Sequence, residues 1–118
     1  MKKILFCLFI TVMAGTASAD VARDAQCSSI FRNASVKATD ILDTEDQQLY
    51  QRTSDALERR ALQGIRRQGI GPDEAAVMLE GFLESYDAVY DEHMTDNSVL
   101  IHFLQDCQPE AMTALMGR

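Results

Sequence analysis

Cysteine is the side chain with the most versatile chemistry in this sequence, and it occurs three times. Cys7 lies within an apolar N-terminal run, Cys27 lies further along the chain, and Cys107 stands in "LQDCQPE" near the end. A thiol can act as a nucleophile, as a metal ligand or as one half of a disulfide. The segments around each cysteine decide between these roles.

The N-terminal segment predicts export. Lys2 and Lys3 precede an apolar run over residues 4–13, and small residues follow it, which is the pattern of a secretory signal peptide. Ala17 and Ala19 meet the small-x-small requirement of the peptidase, so we expect cleavage after Ala19, with cleavage after Ala17 as the alternative. The run is shorter than the roughly 20 residues of a spanning helix, so we expect no stable membrane insertion after cleavage.

Cleavage would leave residues 20–118 as a single helical domain in the periplasm or outside the cell, with Cys27 and Cys107 as its cysteines. An even pair of cysteines in an exported chain is typical of a disulfide. We therefore predict a Cys27–Cys107 bond. Free thiols and an intermolecular bridge are the alternatives, and the bond would remove the nucleophile of a cysteine–histidine site.

The other catalytic patterns are missing from the sequence. No serine lies in a nucleophile elbow, and the chain has no glycine-rich phosphate loop, no HExxH and no paired CxxC. Acidic residues are abundant, but abundance alone does not identify an acid and base pair. We therefore predict no enzymatic activity and no catalytic residues.

Histidine and methionine are the side chains that could bind a metal or a haem. His93 falls on the apolar arc of its predicted helix and His102 on the polar side of the next, so we expect a half-buried His93 and a solvated His102. Two such histidines do not form a zinc site. The CxxCH motif of covalent haem attachment is absent, and the methionines are interpreted as core and edge filler. We predict no metal and no cofactor.

The charge balance excludes one class of partner. The chain has 11 basic and 18 acidic side chains, and the loss of Lys2 and Lys3 would change its net charge from −7 to −9. Nucleic-acid binding relies on lysine and arginine to neutralise phosphates, so we expect no nucleic-acid partner. Net acidity mainly supports solubility.

Hydrophobic periodicity predicts an all-α fold, because apolar residues recur every three or four positions and no segment alternates strictly. The first helix carries one apolar stripe, formed by Cys27, Phe31, Ala34, Ala38 and Ile41. The second is predicted from Thr44 to about Gln68, with Thr44 and Gln47 as a capping box.

Glycine and proline mark the remaining boundaries. Gly69 suits the left-handed residue that ends a helix, and Pro72 suits the first position of the next one, which should run to about Met94. Gly81 inside that helix predicts a close crossing with a neighbour. A fourth helix should follow residues 95–98 and end before Pro109, after which a short helical turn would direct Ala111 and Leu115 toward the core.

Two groups of side chains are candidates for partner binding. On the second helix, a basic cluster lies opposite the apolar arc and should face solvent: Arg59, Arg60, Arg66 and Arg67. One explanation of the cluster is that cations interact favourably with the negative end of the helix macrodipole. The other is that the cluster binds an acidic partner. On the third helix, an aromatic ladder of Phe82, Tyr86 and Tyr90 is explained either as core or as a groove for an apolar segment.

Short connections between four helices favour an up-down four-helix bundle. In that topology, the start of the first helix and the end of the fourth lie at the same end of the molecule. Cys27 and Cys107 would therefore lie together, tying the bundle and its short C-terminal helical turn with one disulfide.

In layout, the chain resembles the small periplasmic acid-stress chaperones of the HdeA type: a signal peptide, a short all-helical mature chain and one disulfide between distant cysteines, one of them shortly before a proline. The resemblance carries over no functional residue. Together with the acidic balance of the chain, it implies a protein that unfolds or exposes apolar surface at low pH.

These observations lead to one functional expectation and one alternative. We expect an exported helical protein that acts non-enzymatically by binding another protein, as a chaperone, an inhibitor or an immunity-type factor does. The alternative is a carrier that holds a small ligand, metal or cofactor in the bundle core.

Overall fold

The computed structural model describes the backbone of residues 2–117 and the side chains of residues 20–117. Five helices follow one another: α1 (Lys2–Lys37), α2 (Thr44–Arg66), α3 (Pro72–His93), α4 (Asn97–Asp106) and α5 (Gln108–Leu115). Between residues 2 and 117 the regular structure is entirely helical, which confirms the all-α prediction. The up-down order of a four-helix bundle stays a prediction.

The signal-peptide prediction concerns residues 1–19, whose side chains lie outside the described part of the chain. It stays a prediction. Among the described residues, no helix has both the length and the apolar character required to cross a membrane.

The start of α2 is where predicted, but its cap is different. Asp43 is the N-cap residue, and its Oδ1 accepts a hydrogen bond of 2.8 Å from the amide of Asp46. The Gln47 side chain donates instead to the carbonyl oxygen of Leu42 at 3.2 Å. The predicted Thr44–Gln47 capping box is therefore wrong, because the carboxylate one residue earlier is at least as good a cap and also faces the positive helix end.

Glycine and proline set the boundary between α2 and α3 as predicted. Gly69 has a φ of 88°, in the left-handed region that favours glycine. Pro72 is the first residue of α3, and Asp73 and Glu74 supply negative charge in its first turn.

The end of the chain bends at the second cysteine. Asp96 caps α4 by accepting a hydrogen bond of 2.9 Å from the amide of Ser98, and α4 ends at Asp106. Pro109 lies in the first turn of α5, where a missing amide hydrogen costs little. Ala111 is buried as predicted, but Leu115 is 44% exposed and Ala114 takes its place in the core.

Two clusters form the core. The first surrounds the cysteines and draws on all five helices through residues that include Ile30, Leu57, Tyr90, Leu100 and Ala111. The second joins α1, α2 and α3: Val21, Ala25, Ala61, Ile65, Ala75, Leu79 and Leu83. The predicted stripe of α1 is buried, but Ile41 lies beyond the end of the helix and is exposed.

The Cys27–Cys107 disulfide is present, with α-carbons 5.7 Å apart and both residues fully buried. The two cysteines are 80 residues apart in the sequence, and their bond joins α1 to the end of α4. Directly after Cys27 on α1, Ser28 pairs with Ser54 of α2, since each hydroxyl lies 2.9 Å from the other residue's carbonyl oxygen. The two buried hydroxyls thus satisfy each other's hydrogen-bonding groups between α1 and α2.

The close helix crossing lies at a different glycine from the one predicted. At Gly81, a Cβ atom would meet nothing within 4 Å, so that prediction is wrong. At Gly64, a Cβ atom would lie 2.7 Å from Val21 Cγ2, well inside van der Waals contact. The absence of a side chain at Gly64 therefore permits α1 and α2 to approach each other.

Candidate functional site

A groove with a volume of about 640 Å³ opens between α2 and α3, and Arg32 of α1 lies at its wall. Its apolar lining comes from Leu62 of α2 and from Ala76, Leu79 and Leu83 of α3. The two leucines of α3 also belong to the second core cluster, so the base of the groove is continuous with the core. This base is preformed by packing.

Charged side chains surround this apolar base. The acidic ones outnumber the basic ones by five to two: Asp55, Glu58, Glu80, Glu84 and Asp87 against Arg32 and Arg59. One of the two arginines is already paired, because Arg32 Nη2 lies 3.0 and 2.9 Å from the two carboxylate oxygens of Asp87. The groove therefore presents a negative wall.

The sequence of α3 explains this negative wall. The helix contains seven Asp or Glu residues and no Lys or Arg. Glu80 and Glu84 are one helical turn apart and are both exposed. Neither makes an ion pair with any residue between 20 and 117. These two carboxylates remain free to interact with a partner.

Asp87 accepts several hydrogen bonds at one end of the groove. Its Oδ1 accepts hydrogen bonds from Ser29 Oγ at 2.5 Å and from Asn33 Nδ2 at 2.7 Å, in addition to Arg32. Partial burial acts to raise the pKa of Asp87, but these hydrogen bonds and the positive charge of Arg32 outweigh it and hold the pKa below its ordinary value. Asp87 is thus a charged anchor between α1 and α3.

The predicted arginine cluster does not form one surface. Arg59 lines the groove, whereas Arg66 and Arg67 are exposed at the end of α2, beside Gly69. Arg60 turns toward α1, where its Nε lies 3.1 Å from Asp24 Oδ2. The prediction that Arg60 faces solvent is therefore wrong, because a buried carboxylate on the neighbouring helix attracts it.

The predicted aromatic ladder is divided between the two core clusters. Phe82 and Tyr86 are partly buried and pack against the second cluster. Tyr90 is only 2% exposed and belongs to the first cluster, with Lys37 Nζ 5.5 Å from its ring centroid. Burial, together with the nearby charges of Asp91 and Asp40, raises the pKa of Tyr90. The three rings do not form one exposed surface.

The two histidines lie in solvent. The side chain of His93 is 66% exposed and its Nε2 is 3.5 Å from a Glu92 carboxylate oxygen, so the prediction that it is half-buried is wrong. Met94 is buried at the end of this apolar arc instead. His102 is exposed as predicted and lies beside the ring of Phe103. Within the described residues, no three His, Cys, Asp or Glu side chains gather as metal ligands would.

A second polar site lies within α1, among the first residues whose side chains the structure describes. Asp24 is 3% exposed and forms its ion pair with Arg60. Burial raises its pKa to about 6, against the opposing charge of Arg60, and the negative charges of Asp20 and Glu110 add to the increase. Sequence reasoning missed this residue. The available signal was an acidic side chain one helical turn after Val21 and one turn before Ser28, both buried.

Sequence reasoning also missed the groove. The sequence feature that indicates the groove is the charge pattern of α3. Its acidic residues have no basic residue three or four positions away to pair with on the helix surface. The sequence of α3 does not show which of these carboxylates lie beside the apolar base of the groove. That depends on how α2 and α3 pack.

Comparison with known protein families, with curated proteins and with solved structures finds no match to this chain. Functional inference therefore depends on the residues and their geometry alone.

Proposed function

We propose that this protein acts non-enzymatically, by binding a partner protein in the groove between α2 and α3. The partner would supply a helical segment that is apolar on one side and basic on the other. One observation carries the proposal: an apolar base that is continuous with the core is bordered by carboxylates without ion-pair partners among residues 20–117. Binding of this kind would suit a chaperone-, inhibitor- or immunity-like role.

The two parts of the groove would contribute differently. Contact of the partner's apolar side chains with partly buried Leu62, and with the small exposed fraction of Leu79 and Leu83, would contribute roughly 25 cal/mol for each Å² removed from water. The carboxylates of Glu80 and Glu84 would increase the association rate and select a basic partner. An amphipathic helix lying in a groove is a recurrent mode of peptide recognition.

The proposed location is the periplasm or the extracellular space. The predicted signal peptide over residues 1–19 supports it, and so does the buried disulfide, since such bonds persist in oxidising compartments. The mature protein would then consist of residues 20–118, free of the membrane.

We also propose the up-down order for α1 to α4. Short connections support it, since residues 38–43 separate α1 from α2 and residues 67–71 separate α2 from α3. The disulfide between α1 and the end of α4 supports it as well. In this arrangement α2 and α3 would be antiparallel neighbours, which is the relation that the groove requires.

A designed peptide tests the groove. The probe is a helical peptide of leucine and lysine, about four turns long, with leucine on one face and lysine on the other. Fluorescence anisotropy should show saturable binding that weakens as the salt concentration increases from about 50 to 500 mM, because salt screens exposed charges. Glu80→Gln combined with Glu84→Gln should weaken binding and reduce this salt dependence.

Two control variants make the test specific. Glu74→Gln combined with Glu92→Gln removes the same charge from the same helix, but outside the groove, and should bind like the wild type. Arg66→Gln combined with Arg67→Gln tests the arginines at the end of α2. If the Glu74 and Glu92 pair weakens binding as much as the Glu80 and Glu84 pair, only the net charge matters and the groove is not the site.

A further inference from the structure

The connection between α2 and α3 carries two basic side chains that the proposed function does not use. Arg66 is the last residue of α2, and Arg67 begins the connection over residues 67–71. Both side chains are exposed, and neither makes an ion pair with any residue between 20 and 117. Arginine-specific endopeptidases hold a carboxylate at the base of their specificity pocket, which binds such a side chain. Arg66 and Arg67 are accessible to a pocket of this kind.

The backbone beside these arginines can open without disturbing the core. None of residues 66–71 is buried. Gly69 adopts a left-handed φ of 88°, and a Cβ atom at Gly69 or Gly71 would meet nothing within 4 Å. Exposed loop tips with small residues are the preferred sites of proteolytic nicking. Opening this segment needs only local unfolding at the end of α2.

The other basic side chains between residues 20 and 117 are protected from a protease. Five of them lie inside helices, where cleavage requires a longer stretch of chain to unfold: Arg23, Arg32, Arg52, Arg59 and Arg60. Lys37 is the last residue of α1, but its Nζ lies 2.7 Å from Asp91 Oδ1, and the next residue, Ala38, is buried. Cleavage after a basic residue is therefore directed to the connection between α2 and α3.

We propose that this connection is a processing site for an arginine-specific endopeptidase. Water hydrolyses the peptide bond between the Arg67 carbonyl carbon and the Gln68 nitrogen, which leaves a carboxylate on Arg67 and an ammonium group on Gln68. Cys27 lies before the cut and Cys107 lies after it, so their disulfide keeps the two products joined. Processing would convert the protein into a two-chain form.

Noncovalent contacts also join the two products. Ion pairs link residues before the cut to residues after it: Arg23 with Asp106 and Glu110, Arg32 with Asp87, and Lys37 with Asp91. The first core cluster contains Ile30 and Leu57 from one product and Leu100 and Ala111 from the other. The two-chain form therefore stays folded while the disulfide is intact. A dithiol reductant, which is oxidised as it converts the disulfide to two thiols, removes the last covalent link.

Limited digestion of the disulfide-bonded protein with a low amount of trypsin tests the proposal. Mass spectrometry without reduction should show one early product, heavier than the intact chain by one water molecule. After reduction with a dithiol, the same sample should give two chains, one ending at Arg67 and one beginning at Gln68. Circular dichroism of the unreduced product should retain the helical signal of the intact protein.

Variants and a second protease make the test specific. Arg66→Gln combined with Arg67→Gln should slow the first cleavage at least about tenfold, because the remaining sites open only when a helix unfolds. Arg52→Gln combined with Arg59→Gln is the matched control, since it removes two exposed arginines from the interior of the same helix and should leave the rate unchanged. A lysine-specific endopeptidase should leave the chain after residue 20 intact, because Lys37 is paired.

Three results would overturn the proposal. The first is an early cut that lies outside residues 66–71. The second is a first cleavage that proceeds at the wild-type rate in the Arg66→Gln, Arg67→Gln variant. The third is a cut at Arg67 whose product loses its helical signal or separates into two chains before any reductant is added, which would show that the disulfide and the packing do not hold a two-chain form.

Discussion

Asp24 and Asp87 both pair with an arginine, yet their pKa values shift in opposite directions. Asp87 is partly exposed and accepts hydrogen bonds from Ser29, Asn33 and Arg32, all of which favour the charged carboxylate. Asp24 is almost completely buried and has only Arg60 as a partner. Burial therefore dominates at Asp24, and hydrogen bonding dominates at Asp87.

Replacement of Asp87 should destabilise the protein in a pH-dependent way. At pH 7, Asp87→Asn should lower the free energy of unfolding by about 1–3 kcal/mol. Arg32 would lose its ion-pair partner, and the hydrogen bonds from Ser29 and Asn33 would have a neutral acceptor in place of a charged one. The folded pKa of Asp87 is below the unfolded value of about 3.9, so this stability is present above that pH and is lost as the pH falls through the folded pKa. Urea unfolding at pH 7 and near pH 3 measures the difference.

Asp55→Asn is the control for Asp87, since Asp55 also borders the groove but makes no ion pair with residues 20–117. It should change the free energy of unfolding by less than about 0.5 kcal/mol. A loss for Asp87→Asn that is equally large at both pH values would show that packing, and not charge, explains the role of Asp87.

Asp24 should give the opposite pH dependence. Its folded pKa of about 6 exceeds the unfolded value of about 3.9, so the folded state binds more protons between these values. Stability from this residue therefore increases as the pH falls from 7 to 4. Relative to Asp24→Asn, the wild type should gain about 1–3 kcal/mol over that range, measured by urea unfolding at each pH. A relative loss of stability on acidification would show that Asp24 is charged in the fold throughout.

At the scale of the helices, two glycines of similar sequence context should respond oppositely to alanine. Gly64→Ala would place a Cβ atom 2.7 Å from Val21 Cγ2 and force α1 and α2 apart, which typically costs about 1–3 kcal/mol. Gly81→Ala meets nothing within 4 Å and should stabilise the protein by about 0.5–1 kcal/mol through helix propensity. Thermal unfolding of both variants measures the contrast.

Gly81→Ala is the internal control for this comparison, because it makes the same chemical change in a helix without the contact. If Gly64→Ala is as stable as Gly81→Ala, then α1 and α2 do not cross closely at Gly64.

Helix boundaries were predictable where local chemistry decides them. Gly69 and Pro72 end one helix and begin the next for reasons of backbone conformation alone, and Pro109 separates α4 from α5 in the same way. The cap of α2 was misassigned because Asp43 and Thr44 are neighbouring cap residues, and local sequence does not rank them decisively.

Side-chain environments that depend on another helix were not predictable. The helical wheel places Arg60 in solvent, but the buried Asp24 on α1 attracts it. The same wheel places His93 on the apolar arc, yet α3 ends there and Met94 takes the buried position. In each case the deciding contact comes from tertiary packing, which the periodicity of one helix does not contain.

At the scale of the whole molecule, the disulfide closes a loop that spans most of the described chain. Cys27→Ala combined with Cys107→Ala should lower the free energy of unfolding by about 4 kcal/mol, because the unfolded chain regains the entropy that the crosslink removes. That is a large share of the stability of a domain of this size. Chemical denaturation of both proteins measures the loss, and a loss below about 1 kcal/mol would show that helix packing alone holds the two chain ends together.

The pairing of Cys27 and Cys107 was predictable from the parity of the cysteines, but the groove required the structure. Acidic residues cover much of this protein, and only the packing of α2 against α3 distinguishes Glu80 and Glu84, which border an apolar base, from Asp73 and Glu74, which do not. Exposed apolar side chains occur elsewhere, including Met112 and Leu115 on α5 and Met116 directly after it. A direct test must therefore separate these surfaces.

The central claim, that a basic partner segment binds in the groove, is tested most directly by NMR. The measurement is the change in the backbone amide shifts of the labelled protein when the leucine–lysine peptide is added. The proposal predicts that the largest changes lie at Leu62 of α2 and at residues 79–84 of α3, and that they decrease in the Glu80→Gln, Glu84→Gln variant. Changes centred on Arg66 and Arg67, or on the exposed Met112 and Met116, would contradict it.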